Sequence, residues 1–104
     1  MNREQNWQSG RNSQTIVKYP DFRIVLTVLR AGARMHEHHA AGPISVHVLS
    51  GHIRMRVEGR EIDLPPGHVL ALDRSIPHDV EAAEDSAFLL TIAWPQADRP
   101  KSAG

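Results

Sequence analysis

The stretch that most constrains this chain is GREIDLPPGHVLALDRSIPH, Gly59 to His78. A strand-like piece, Arg60 to Leu64, ends in Pro65-Pro66-Gly67, where proline presets φ and the glycine admits φ > 0. A second apolar run, His68 to Leu72, follows. A loop through Ser75-Ile76-Pro77 then delivers His78. Two short strands joined by a proline–glycine corner and leading to a histidine do not suit a helical protein. They suit a β-structure that turns often.

The rest of the chain agrees. Thr15–Tyr19 reads as a short strand stopped by Pro20. Phe22–Arg30 is rich in β-branched residues and apolar on both alternating faces, as in a strand covered on both sides, and Gly32 breaks it. Ile44–Leu49 and Ile53–Glu58 are expected to form a hairpin about Ser50-Gly51. Ile53, Met55 and Val57 alternate with Arg54, Arg56 and Glu58, which gives one buried and one wet face. After a turn at Glu58-Gly59, further strands are expected at Glu61–Leu64, Val69–Leu72, His78–Ala82 and Ala87–Ala93, and no segment has a helical period. The predicted fold is all-β, an antiparallel double-sheet jelly roll or small barrel over residues 15–94. Met55, Phe88, Leu90 and Ile92 are assigned to the core, and Trp94 to closing one end. The Asn/Gln/Ser-rich residues 1–14 are expected to be a flexible polar arm that Trp7 pins to a surface or a partner subunit. Residues 95–104 are expected to be a disordered tail.

Composition excludes several functions. With 104 residues and a formal net charge of zero, no overall field draws the chain to nucleic acid or an anionic membrane. Arg54 and Arg56 read as a solvated strand face, since no aromatic platform interleaves them. The chain has no cysteine, which removes disulfides, thiolate catalysis and thiolate metal sites. Its longest apolar run, Ile24 to Leu29, is too short to span a bilayer, and the polar start does not resemble a secretory signal. A soluble cytoplasmic protein is expected.

Gly59, five residues, Pro65, one residue, Gly67 and a histidine eleven positions on resemble the second conserved motif of the cupin family. The family's first motif reads Gly, five residues, His-x-His, three or four residues, Glu, six residues, Gly. From Gly32, five residues lead to His38; the second histidine then falls on Ala40, the glutamate on Ile44 and the closing glycine on Gly51. Register is kept while two of the four metal ligands that the resemblance implies are replaced. The chain's own His-x-His is His36-Glu37-His38, with His39 beside it. The resemblance covers about residues 22–93. It implies a cupin-type barrel, for which dioxygenases, isomerases, epimerases, decarboxylases and sugar-sensing domains are all known, so no single reaction follows from it.

The residues themselves define two readings. Neutral imidazole binds Zn, Ni, Fe or Mn at about 2.0–2.2 Å, and histidines at i and i+2 on a regular strand share a face. His36 and His38 with a distant His78 would then hold a divalent transition metal with positions open for a small-molecule ligand or substrate. His47 is a lower-ranked fourth ligand, because alternation with Val46 and Val48 turns it away from the interior. Asp73 or Asp79 is the expected partner orienting the His78 ring. No dedicated general base is visible, since Glu37 alternates with His36 and His38. In the competing reading, the same barrel is a metal-free module for a carboxylate or sugar-like ligand held between Ile44, Val46, Met55 and Val80, with His38 and His78 setting its orientation. A homodimer covering the strand at Thr15–Tyr19 is expected, because that strand has few partners within its own chain.

Overall fold

The computed structural model describes residues 10–38 and 42–93, the side chains of residues 36–38 excepted. These residues form nine strands and no helix: β1 Arg11–Lys18, β2 Phe22–Leu29, β3 Arg34–His38, β4 Ile44–Ser50, β5 Ile53–Val57, β6 Arg60–Leu64, β7 Val69–Leu72, β8 His78–Ala82 and β9 Ser86–Ala93. One sheet has the order β1-β2-β9-β4-β7 and the other β3-β8-β5-β6. All their pairings are antiparallel. The expected all-β jelly roll is the observed architecture.

Period-two patterning builds the core. In β4 the residues Ile44, Val46 and Val48 are buried and Ser45 and His47 are not; in β5 Ile53, Met55 and Val57 are buried and Arg54 and Arg56 are not. These faces meet between the sheets together with Leu29, Val80 and Phe88, while Leu90 and Ile92 pack at the margin. Phe88 is 1% exposed, and sealing side chains of this size from water supplies about 1.5–3 kcal/mol each.

Two expectations are corrected. β4 and β5 do not form a hairpin: β4 pairs with β7 and β9, and β5 with β6 and β8. The chain crosses from one sheet to the other at Gly51, whose φ is 82°. That corner is held from outside itself. The His52 N–H donates to Ser86 Oγ at 2.9 Å, and the Ser86 hydroxyl lies 2.7 Å from the Glu84 carbonyl to which it donates. A Cβ at Gly51 would collide with the Asp85 carbonyl oxygen and Ser86 Oγ. The expected polar arm of residues 1–14 also ends sooner than predicted. Arg11, Asn12, Ser13 and Gln14 already pair with Leu29, Val28, Thr27 and Leu26, because backbone ladder bonds need no apolar side chain. Residues 1–9 with Trp7, and residues 94–104 with Trp94 and the predicted tail, lie outside the described residues.

The connections sort the barrel into two ends. Leu29, Gly51, Ala82 and Ser86 gather at one, closed by bonds such as Gly32 N–H to Ala82 O at 2.8 Å and Ala31 N–H to Asp85 Oδ1 at 2.8 Å. The other end is where β3 stops at His38 and β4 starts at Ile44, and where β7 stops at Leu72 and β8 starts at His78. The candidate site belongs to this second end.

Candidate metal and ligand site

His78 opens β8 and is 4% exposed. The loop that delivers it includes Ser75 in the left-handed region, φ 63°, a conformation a non-glycine residue seldom takes. The His78 ring is oriented by the main chain: Nδ1 lies 3.0 Å from the Ile76 carbonyl oxygen. A carbonyl only accepts, so Nδ1 carries the proton and Nε2 is the basic nitrogen of the neutral ring. This tautomer suits a metal ligand or a hydrogen-bond acceptor. Neither aspartate performs the orienting role expected of it. Asp73 Oδ1 accepts from the Arg74 N–H at 2.8 Å. Asp79, next along the strand, alternates to the outer face and faces Arg34 at 3.5 Å and Arg56 at 3.8 Å.

Across the sheet, His78 lies between Val57 of β5 and His38 of β3 in register. The β3 ladder is irregular. Met35 pairs with Val80 and His38 with His78, so three steps on β3 match two on β8. The i, i+2 relation expected of His36 and His38 assumed a regular strand, and the bulge falls within that stretch. His39, beside them, lies outside the described residues. His47 is placed elsewhere. It stands between buried Val46 and Val48 in β4, opposite Leu89 and Val69, on the outer face of the five-stranded sheet. Strand alternation therefore separates it from the face that carries Ile44 and removes it as a fourth ligand.

The expected pocket residues are all interior. Ile44, Val46, Met55 and Val80 are 5, 1, 0 and 3% exposed, and Met55 pairs directly with Val80. Val46 and Met55 are packed core and leave almost no surface for a ligand. Ile44 opens β4 at the His78 end of the barrel. Among the described residues no group of three or more His, Cys, Asp or Glu side chains is placed to hold a metal ion. The donor set expected for one, His36 and His38 together with His78, would suit a divalent transition metal.

The outer face of the four-stranded sheet is laced with charge: cationic Arg34 on β3, acidic Asp79 and Glu81 on β8, cationic Arg54 and Arg56 on β5, acidic Glu61 and Asp63 on β6. Arg54 Nε meets Asp63 Oδ1 at 3.1 Å, and Arg56 reaches Glu61 at 3.4 Å and Glu81 at 3.7 Å. The Arg54 hydrogen bond holds the Asp63 carboxyl below its ordinary value, and Asp63 in turn raises Arg54. Opposite charges thus neutralise one another across the strands, in keeping with a solvated face. A groove lined by Arg56, Glu58, Gly59, Pro77 and Asp79 opens on this side, about 280 Å³ in volume. A larger one, about 510 Å³, is lined by Lys18, Tyr19, Pro20 and Arg23. Sequence reasoning passed over both. The pairing of Lys18 with Arg23 that frames the second shows only once β1 and β2 are aligned.

With this geometry in place, the comparisons are specific about the fold. The family model "Cupin domain" matches residues 25–94, well over half of the chain, and the chain belongs to the cupin family. An RmlC-like cupin from Desulfovibrio desulfuricans is similar at 30% identity over 80% of this chain and 81% of that one, with a TM-score of 0.74. A conserved protein of unknown function from Streptococcus pyogenes is similar at 26% identity over 86% of this chain and 79% of its own, TM-score 0.79. KdgF from Halomonas sp. shares 23% identity over 94% and 95% of the two chains, TM-score 0.77, which extends the likeness of fold. No curated protein matches the chain. Among the described residues, no helix is long and apolar enough to cross a membrane.

Proposed function

We propose that this cupin binds one divalent transition metal through His36, His38 and His78 at the end of the barrel where His78 lies, and receives a small-molecule ligand there. The observation that supports this most is the His78 ring, buried and aimed by its Nδ1–H bond to Ile76, with His38 opposite in register. Held by these histidines, such an ion would supply Lewis-acid polarisation of a carbonyl or enolate oxygen of the ligand. The chain's own contribution is to orient His78 through Ile76 and to back the site with Ile44 and Val57, whose apolar side chains exclude water.

Metal analysis of protein purified without an affinity tag tests the proposal. About one equivalent of Zn, Ni, Mn or Fe(II) is expected, and His78→Ala should abolish it while far-ultraviolet circular dichroism stays that of a β-protein. Less than about a tenth of an equivalent in the wild type overturns the metal assignment, since three imidazoles hold such ions well.

The metal-free ligand module remains the second reading, favoured by one observation. Ile44, where the family pattern implies a glutamate, is apolar and 5% exposed at this same end. pH separates the two: a metal site releases its ion as imidazoles protonate below about pH 6, whereas a bare carboxylate site binds more tightly there.

The proposal includes a homodimer. β1 is the outermost strand of its sheet, and Ile16 on it is 50% exposed, a pattern that pairing with a second copy would cover. A monomeric mass by light scattering at micromolar concentration overturns it.

A further inference from the structure

We propose that Lys18 and Arg23 form a subsite for the carboxylate of a small, flat monoanion at the same end of the barrel as His78. This rests on the reading of that end as a ligand site, and assigns the ligand's class.

Lys18 ends β1, Arg23 lies at the start of β2, and the two are direct register partners. Like charges placed opposite one another weaken an antiparallel pair. The turn between them, Tyr19-Pro20-Asp21, is closed by a Tyr19 N–H bond to the Phe22 carbonyl at 2.9 Å. Their position in the sheet is more telling. Arg23 pairs with Ile92 of β9, Ile92 with Ile44 of β4, and Ile44 with Leu72 of β7. Ile44 and Leu72 are buried against the other sheet, and partners in a ladder share a face. The row Lys18–Arg23–Ile92–Ile44–Leu72 therefore runs along the inner face, at the end where Leu72 leads through its loop to His78.

The groove has the shape and charge for such a ligand. Its volume of about 510 Å³ lies within the usual range for small-molecule sites. Tyr19 and Pro20 supply flat apolar walls, and the Tyr19 ring is braced by Phe22 at 5.1 Å between centroids. Arg23 offers a planar fork that fits a carboxylate, and Lys18 a second charge. Asp21 in the same turn leaves one net positive charge, which matches a monocarboxylate better than a phosphate dianion.

The test is binding of benzoate to the full chain, followed by calorimetry at about 0.1 M salt, with benzamide as the neutral counterpart and metal content measured on the same samples. Benzoate should bind more tightly than benzamide. Arg23→Gln should weaken benzoate about tenfold or more and Lys18→Gln severalfold, while Arg54→Gln on the outer face should change nothing. Lys18 is exposed, so its variant keeps the fold and the test stays decisive if Arg23→Gln does not fold. Equal benzoate affinity in wild type and both groove variants overturns the subsite, as does absence of binding at about 10 mM. A wild type without metal that still binds benzoate through Arg23 overturns the metal assignment alone. A metal-loaded wild type indifferent to Arg23→Gln and Lys18→Gln overturns the subsite alone.

Discussion

His38 lies directly opposite His78 across the β3–β8 ladder, although Met35, three residues earlier, lies opposite Val80, only two residues beyond His78. In an unbroken strand, positions 35 and 38 would have opposite parity. The bulge between them gives both a partner of the same parity, and both partners, His78 and Val80, are buried. Irregular pairing of this kind is common beside sites, where it re-aims one position without moving the rest of the sheet.

Two glycine corners at one end of the barrel should respond differently to a single methyl group. Gly51 and Gly67 both have positive φ, 82° and 85°, but an added Cβ meets backbone and Ser86 at Gly51 and nothing within 4 Å at Gly67. Gly67→Ala should cost only the conformational strain, about 1 kcal/mol. Gly51→Ala adds a collision in a corner that joins the two sheets and should cost about 3 kcal/mol or more. Thermal unfolding checks this, with falls of about 5 °C and at least about 12 °C expected for a chain of this size. Similar shifts would mean that the corner relaxes.

Phe88→Ala should be among the most damaging core substitutions. The side chain is 1% exposed in β9, with Thr27 and Val48 as register partners on either side. Removing it leaves a cavity that flanking strands cannot close, at a cost of about 3–5 kcal/mol. Urea unfolding should show an unchanged slope and a lowered midpoint. A loss below about 1 kcal/mol would show that the core is loosely packed there.

Local chemistry explains which parts of this structure were readable from the chain. Pro65-Pro66-Gly67 and Glu58-Gly59 are turns because of their own residues, and Ile53, Met55 and Val57 declare their face by alternation. The Gly51 corner was mistaken for a hairpin because Ser50-Gly51 looks the same locally in either role. The difference lies with Ser86, thirty-five positions away. Arg11–Gln14 carry no apolar signal, since an edge strand is held by its backbone. The bulge in β3 leaves no trace in its own residues, so the relation of His36 to His38 rested on a regularity the strand lacks. Lys18 and Arg23 pair only once β1 and β2 are aligned.

The charged outer face predicts a pH dependence. Asp63 is exposed, and its carboxyl is held below the ordinary 3.8, first by the hydrogen bond from Arg54. A depressed folded-state pKa stabilises the fold above the unfolded value and loses that contribution as pH falls through the folded one. Asp63→Asn should therefore lower the urea midpoint slightly at pH 6, with the difference fading as pH falls below the ordinary 3.8 and shrinking in high salt. A difference that persists in acid would assign the effect of Asp63 to something other than its charge.

Glu58 offers a stabilising change. With Gly59 it forms the two-residue loop between the paired Val57 and Arg60, and its φ is 50° beside 79° for the glycine. Positive φ at both central positions is the type I′ hairpin, whose twist matches that of the strands. Glutamate is a poor choice at the first position because its Cβ crowds the following carbonyl, whereas asparagine takes the left-handed region readily. Glu58→Asn should raise stability by about 0.5–1 kcal/mol, or about 2–8 °C in Tm. Glu58 also lines the groove with Arg56 and Asp79, so the outcome has two competing terms. A lower Tm would show that the Glu58 carboxylate, beside Arg56, contributes more than its backbone strain costs. A higher one would identify the loop's conformation as the larger effect.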